Sequence, residues 1–309
     1  MSEVRICFNK VKNDCIKFIK SQETVTEKFK AKEKMIKSFL IPICFWIAKK
    51  AKNKTPYFVG LAGGQGTGKT TISSILKIIL TKYFKLKVFK ISIDDFYKTR
   101  KDRIELSKKV HPMLLIRGVP GTHDINIILN FIKKIKSKRF KNLKVPNFNK
   151  AVDDRLNKKF WYNIKERPDI IILEGWCVGA KPQKNSSLIR PINSMEKTND
   201  PKVIWRKFVN QQLKSKYKNL YSKLNCLIYL KAINFDLLQK WRLKQEYKLK
   251  LKSKKMSNLK IMNKGDIINF MQTYQRITED MFRMMPKYAS IIMHLNSNHQ
   301  IKNTVYKTK

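Results

Sequence analysis

The sequence predicts an α/β fold with a parallel sheet flanked by helices. Three observations predict it. Five short runs rich in Ile, Val and Phe lie at 57–62, 88–93, 170–173, 226–230 and 291–295. None alternates apolar with polar residues, as expected of strands buried on both faces. Helix-like stretches such as 70–83 and 125–138 separate them, which is the strand–helix alternation of a doubly wound sheet.

Residues 1–55 come first and read as mostly helical, with apolar positions near a 3.6-residue period and lysines between them. They predict a helical segment that packs on a core domain spanning 56–309. The apolar stretch 39–48 is too short to span a bilayer. Two intervals, 99–124 and 140–168, hold clustered His, Pro, Arg and Asp with little periodicity and read as insertions on the substrate side. The polar stretch 181–202, with Pro182, Pro191 and Pro201, reads as a loop. Lysines at 240, 244, 248 and 252 form one solvated helix face.

The formal charge is +46, with 68 Lys+Arg against 22 Asp+Glu. Only twelve of the 68 are Arg, and the lysines are spread along the chain. Nucleic-acid recognition favours arginine forks, so the charge reads as compositional, and no specific nucleic-acid partner is expected. A polyanion-binding NTPase stays open as an alternative. The five cysteines are an odd number without metal-ligand spacing. With no secretory signal visible, they suggest a reducing, cytoplasmic setting and no membrane.

Glycine is scarce, with 10 in 309 residues, and nine fall in three clusters, at 60–68, 118–121 and 175–179. The first contains Gly63, Gly64, Gln65, Gly66, Thr67, Gly68, Lys69 and Thr70, followed by Thr71. This is G-x-x-x-x-G-K-[ST] between a strand-like and a helix-like run, the context of a phosphate-binding P-loop. Backbone N–H groups and a helix N-terminus would cradle ATP phosphates there. Lys69 would reach the β/γ-phosphates, and the Thr70 hydroxyl would ligate Mg²⁺. The run 170–173 ends in Glu174-Gly175, as in a Walker B acid that holds Mg²⁺ directly or through water. The second run ends in Asp94-Asp95-Phe96-Tyr97. A hydroxyl nucleophile must lose a proton, and one of these two carboxylates is placed to take it.

Further stretches extend the pattern. They include Arg117-Gly118-Val119-Pro120-Gly121-Thr122-His123-Asp124, the stretch 146–155, Leu173-Glu174-Gly175-Trp176-Cys177-Val178-Gly179 and Trp241-Arg242. In these the chain resembles the D-glycerate 3-kinase family, P-loop kinases related to uridine kinase, phosphoribulokinase and pantothenate kinase. The resemblance covers roughly 35–300. It implies a monomeric kinase with strand order 2-3-1-4-5 and a lid, moving the ATP γ-phosphoryl group to D-glycerate. It also implies Lys69, Asp94 and Arg242 as catalytic, with Asp94 as base and Arg242 supplied by the lid helix. Asp95, Tyr97, Arg117, His123, Asn149 and Arg155 are the expected substrate-side residues. Asn149 departs from an aspartate in the family pattern, so a nucleoside, pantothenate or another hydroxy acid stays open as acceptor. Trp205, Trp241 and Cys177 are expected to pack, and His111, His294 and His299 to be structural.

Overall fold

The computed structural model describes residues 2–24, 28–253 and 263–307, the side chains of 248–253 excepted. The five predicted runs form β1 (Tyr57–Gly63), β2 (Val88–Ser92), β3 (Ile170–Gly175), β4 (Cys226–Lys231) and β5 (Ile291–Leu295) of one sheet. They are parallel and stand in the order 2-3-1-4-5. Every residue of β1 and β3 is buried, which is why neither run alternates. A sixth strand, β6 (Ile301–Tyr306), pairs antiparallel with β5 at the sheet edge. Its sequence, Ile-Lys-Asn-Thr-Val-Tyr, is half solvated and offers no apolar run, so the sequence pattern did not show it.

Helices cover both faces. On one face the P-loop helix Lys69–Lys82 buries Ile72, Ile75, Leu76, Ile79 and Leu80. The N-terminal helix Glu3–Ser21 and the helix Ile41–Ala51 pack against it. Their buried Cys7, Cys15, Ile19, Cys44 and Ile47 join the same apolar cluster as β1, β4 and β5. Each fully buried Ile or Leu contributes about 1.5–3 kcal/mol, so this face is a major source of stability. On the other face lie the helices Ile125–Lys136 and Ile204–Gln212 and the C-terminal part of Lys264–Met284. Among the described residues no helix is long and apolar enough to cross a membrane.

The interval 99–124 is more regular than its sequence suggests. It holds the helix Arg100–Lys109, started by a capping box between Thr99 and Asp102. That helix buries only Arg103, so it lacks the apolar stripe by which a helix is read. The stretch 181–202 likewise contains two short helices, Ser186–Ile189 and Ser194–Asn199. In 140–168 two small antiparallel pairs form, Leu143–Val145 with Tyr162–Ile164 and Phe148–Asn149 with Asp154–Arg155. Lys240 and Lys244 are exposed as expected, while Lys248 and Lys252 lie outside the described side chains. Trp205, Trp241 and Cys177 are buried.

Candidate active site

The parallel register brings three chemistry-bearing segments to one end of the sheet. Leu61 is opposite Glu174 and Ser92 is opposite Glu174 on the other side. The P-loop after β1, the Asp94 turn after β2 and the acid ending β3 are therefore neighbours beyond the carboxyl strand ends. That is where ligands bind in open α/β sheets.

The loop Gly63–Gly68 passes directly into the helix that begins at Lys69. Gly66 has φ +82° and a Cβ there would lie 2.8 Å from Trp241 Cβ, so a side chain is excluded by both backbone and packing. The same contact sets Trp241 and Arg242, from the helix Phe235–Ser253, over the loop. Thr67 Oγ1 and Lys69 Nζ both donate to the Gly64 carbonyl, at 2.8 and 2.9 Å. Burial lowers the Lys69 pKa to about 8, against the attraction of Glu174 and Asp94. Arg242 pairs with Glu246 one turn along its helix at 2.6 Å.

Thr70 Oγ1 donates to Glu174 Oε1 at 2.8 Å, and the Ser73 hydroxyl donates to the other carboxylate oxygen. Glu174 is 5% exposed. A hydroxyl beside a buried carboxylate is a hard oxygen donor pair, which fits Mg²⁺ held by few protein ligands plus phosphate and water. The fit needs no larger cluster, and among the described residues no group of three or more His, Cys, Asp or Glu could hold a metal.

Asp94 and Asp95 point apart. Asp95 turns back to accept from the Ser92 N–H at 3.1 Å, closing a capping box with Ser92. Burial, followed by the neighbouring Asp94 charge, raises its pKa to about 6. The backbone bond makes Asp95, one of the expected substrate-side residues, part of the turn. Asp94 instead faces outward. Its Oδ2 meets Lys150 Nζ at 2.7 Å and its Oδ1 lies 4.0 Å from His123 Nε2. Burial alone would raise this carboxyl, but the contacting Lys150 ammonium, His123 and Lys69 together outweigh it and the pKa falls to about 2.

His123 is fully enclosed. Its ring stacks on Tyr97 at 4.4 Å, and Nδ1 shares a 2.6 Å hydrogen bond with the Tyr217 hydroxyl. Burial lowers its pKa to about 4, so the ring is neutral at pH 7. Its Nε2 has no hydrogen-bond partner. That buried, unsatisfied atom is 4.0 Å from Asp94 Oδ1, and a buried polar atom without a partner calls for one.

Three expected substrate residues are engaged with the scaffold. Arg117 pairs with Asp153 and lies over the Phe148 ring at 5.6 Å. Arg155 donates to the Tyr97 carbonyl at 2.8 Å and faces Asp124 at 3.5 Å. Asn149 Oδ1 accepts from the Ala151 N–H at 2.9 Å, an Asx turn in which an aspartate would serve equally. Buried Arg103 ties these loops together through the carbonyls of Lys98, Leu115 and Asp153.

Lys150, Tyr217 and Tyr274 join the site without having been singled out by the sequence. Lys150 lies in the 146–155 stretch but is one lysine among many. Tyr274 sits on the helix Lys264–Met284, its ring edge-on to Trp176 at 4.8 Å and its hydroxyl 3.4 Å from the Arg117 carbonyl. No local motif marks either tyrosine. The expected structural roles of His111 and His299 match their surroundings: His111 Nδ1 accepts from the Met113 N–H, and His299 stacks on Trp241.

No family model matches the chain. An uncharacterized kinase of Schizosaccharomyces pombe is 29% identical over 255 residues, 78% of this chain and 85% of the relative. The chloroplastic D-glycerate 3-kinase of Arabidopsis thaliana is 26% identical over 226 residues, 67% of this chain, and that match spans 47% of the plant protein. In fold, the structure of D-glycerate 3-kinase from Cryptococcus neoformans superposes with a TM-score of 0.73 and 21% identity, covering 87% of this chain and 99% of that one. With a P-loop, a strand-end acid paired to its threonine and the 2-3-1-4-5 sheet, the chain has the fold of P-loop kinases and is similar in sequence to kinases.

Proposed function

We propose that the protein is an ATP-dependent kinase that phosphorylates the 3-hydroxyl of D-glycerate. The observation that supports this best is the outward-facing Asp94 carboxylate at the strand end beside the P-loop, with cationic Lys150 and Lys69 close by. An acceptor that is both an alcohol and an anion suits that pairing. The plant and fungal relatives named D-glycerate 3-kinase agree with it.

The P-loop backbone N–H groups hold the ATP phosphates, and Lys69 leaves the Gly64 carbonyl to neutralise charge on the β/γ-oxygens. Thr70 and Glu174 would hold Mg²⁺, which supplies charge neutralisation on the β- and γ-phosphates when bound. Asp94 orients the acceptor hydroxyl and takes its proton as the oxygen bonds to Pγ. The bond from Pγ to the β,γ-bridging oxygen breaks, and ADP leaves. Arg242, set over the P-loop, exchanges Glu246 for the transferring phosphoryl group. His123, held neutral, offers Nε2 to the acceptor without competing with Asp94 for its charge. Asp95, Tyr97, Arg117, Asn149 and Arg155 shape the acceptor site through the turns they hold.

Incubating the protein with Mg²⁺-ATP and D-glycerate, uridine or pantothenate tests the reading. Formation of 3-phosphoglycerate is the expected result. Turnover of uridine or pantothenate without D-glycerate turnover would refute the acceptor and keep the kinase.

A further inference from the structure

The loop that ends the 146–155 hairpin is held firmly, while the side chain at its tip is exposed. The Lys150 carbonyl accepts from Arg117 at 3.3 Å, Asn149 closes the turn, and Asp153 is held by both Arg103 and Arg117. The Lys150 side chain itself is 61% exposed and reaches Asp94 Oδ2 at 2.7 Å. Three arginines of this side are committed elsewhere. Arg103 is buried among carbonyls, Arg117 pairs with Asp153, and Arg155 is bonded to Tyr97 and Asp124. A lysine is a point charge on a flexible stem, so its ammonium can move without moving the pinned backbone.

We propose that Lys150 is the receptor for the carboxylate of the acceptor and that, before the acceptor arrives, it latches Asp94. This rests on the reading of Asp94 as the group that takes the acceptor proton. In the free protein the ammonium occupies the carboxylate oxygen that must meet the hydroxyl. An anionic acceptor draws the ammonium to its own carboxylate and releases that oxygen. An uncharged alcohol, or water, offers nothing to draw it away. The contact therefore selects hydroxy acids over plain alcohols and holds back ATP hydrolysis when no acceptor is bound.

The experiment compares wild type, Lys150→Met and Lys150→Arg with D-glycerate, with glycerol, and with ATP alone. Glycerol keeps the chain and its hydroxyls and has CH₂OH in place of the carboxylate. In Lys150→Met the KM for D-glycerate is expected to rise about 10- to 100-fold, the size of a lost charge-assisted contact. The KM for ATP should stay within about twofold. Preference for D-glycerate over glycerol should shrink by a similar factor, and acceptor-free ATP hydrolysis should rise several-fold. Lys150→Arg should restore most of the preference, which a merely structural role would not produce. Unchanged acceptor preference in Lys150→Met overturns the proposal. If wild type does not phosphorylate D-glycerate, the acceptor reading fails separately. The latch is then judged on ATP hydrolysis alone, where equal rates in wild type and Lys150→Met overturn it.

Discussion

Thr70 Oγ1 lies 2.8 Å from Glu174 Oε1, joining the first turn of the P-loop helix to the end of β3 across 104 residues of sequence. The bond is a consequence of register: Leu61, two residues before the P-loop glycine Gly63, stands opposite Glu174 in the sheet. Replacing Glu174 with Gln keeps the hydrogen bond from Thr70 and removes the charge. Turnover of Glu174→Gln should fall at least about tenfold, with partial recovery at raised Mg²⁺, because one anionic ligand is lost. An Mg²⁺ titration of turnover checks this, and a curve matching wild type would exclude Glu174 from metal binding.

Asp94→Asn should lower kcat by about 10²–10⁴ while changing the KM for ATP little, since the carboxylate pairs with Lys150 of the 146–155 loop and makes no direct bond to the P-loop among the contacts described. Steady-state kinetics in both substrates separates the two effects. A kcat near that of wild type would end the assignment of Asp94 as base.

Lys69→Ala should reduce turnover by at least about 100-fold through loss of charge on the phosphoryl oxygens. The fold should survive, because in the free protein Lys69 Nζ bonds only a loop carbonyl among the contacts described. ADP release measures the first effect and thermal denaturation the second.

Gly118 has φ +146°, and a Cβ there would collide with the Tyr274 hydroxyl oxygen. Gly118→Ala should therefore destabilise the protein by about 1–3 kcal/mol and disturb the acceptor loop with it. Denaturant unfolding checks the sign. By contrast, Asn149→Asp keeps the Asx turn and should hold turnover within about twofold. A tenfold change would mean that residue 149 touches the acceptor.

Folding lowers the His123 pKa from 6.5 to about 4 by burial. Between those values the unfolded chain binds the proton and the native state does not, so this group's stabilisation is complete above pH 6.5 and is lost as pH falls toward 4. Asp95, raised by burial from 3.8 to about 6, acts oppositely and costs stability as pH rises through that window. NMR titration of the His123 ring should show it neutral at pH 6, and Asp95→Asn should remove the opposing contribution.

Much of the frame is legible along the chain, because burial on both faces writes continuous apolar runs and phosphate binding demands glycines at fixed spacing. The P-loop, Glu174 and the Asp94 turn follow from such local rules. The helix Arg100–Lys109 and β6 are not legible, since one buries an arginine and the other is half solvated. Asp95 shows a finer limit. Two adjacent carboxylates look alike in sequence, and only the capping bond to Ser92 separates the one that holds the turn from the one that faces out.

The sequence by itself determined that this chain carries a P-loop on a parallel α/β sheet, because those demands act through spacing a few residues long. The tertiary structure alone decided which charges meet. Lys150 is 56 residues from Asp94, and Tyr217 is 94 from His123. Such pairs are set by how loops are pinned and packed, so no local pattern records them.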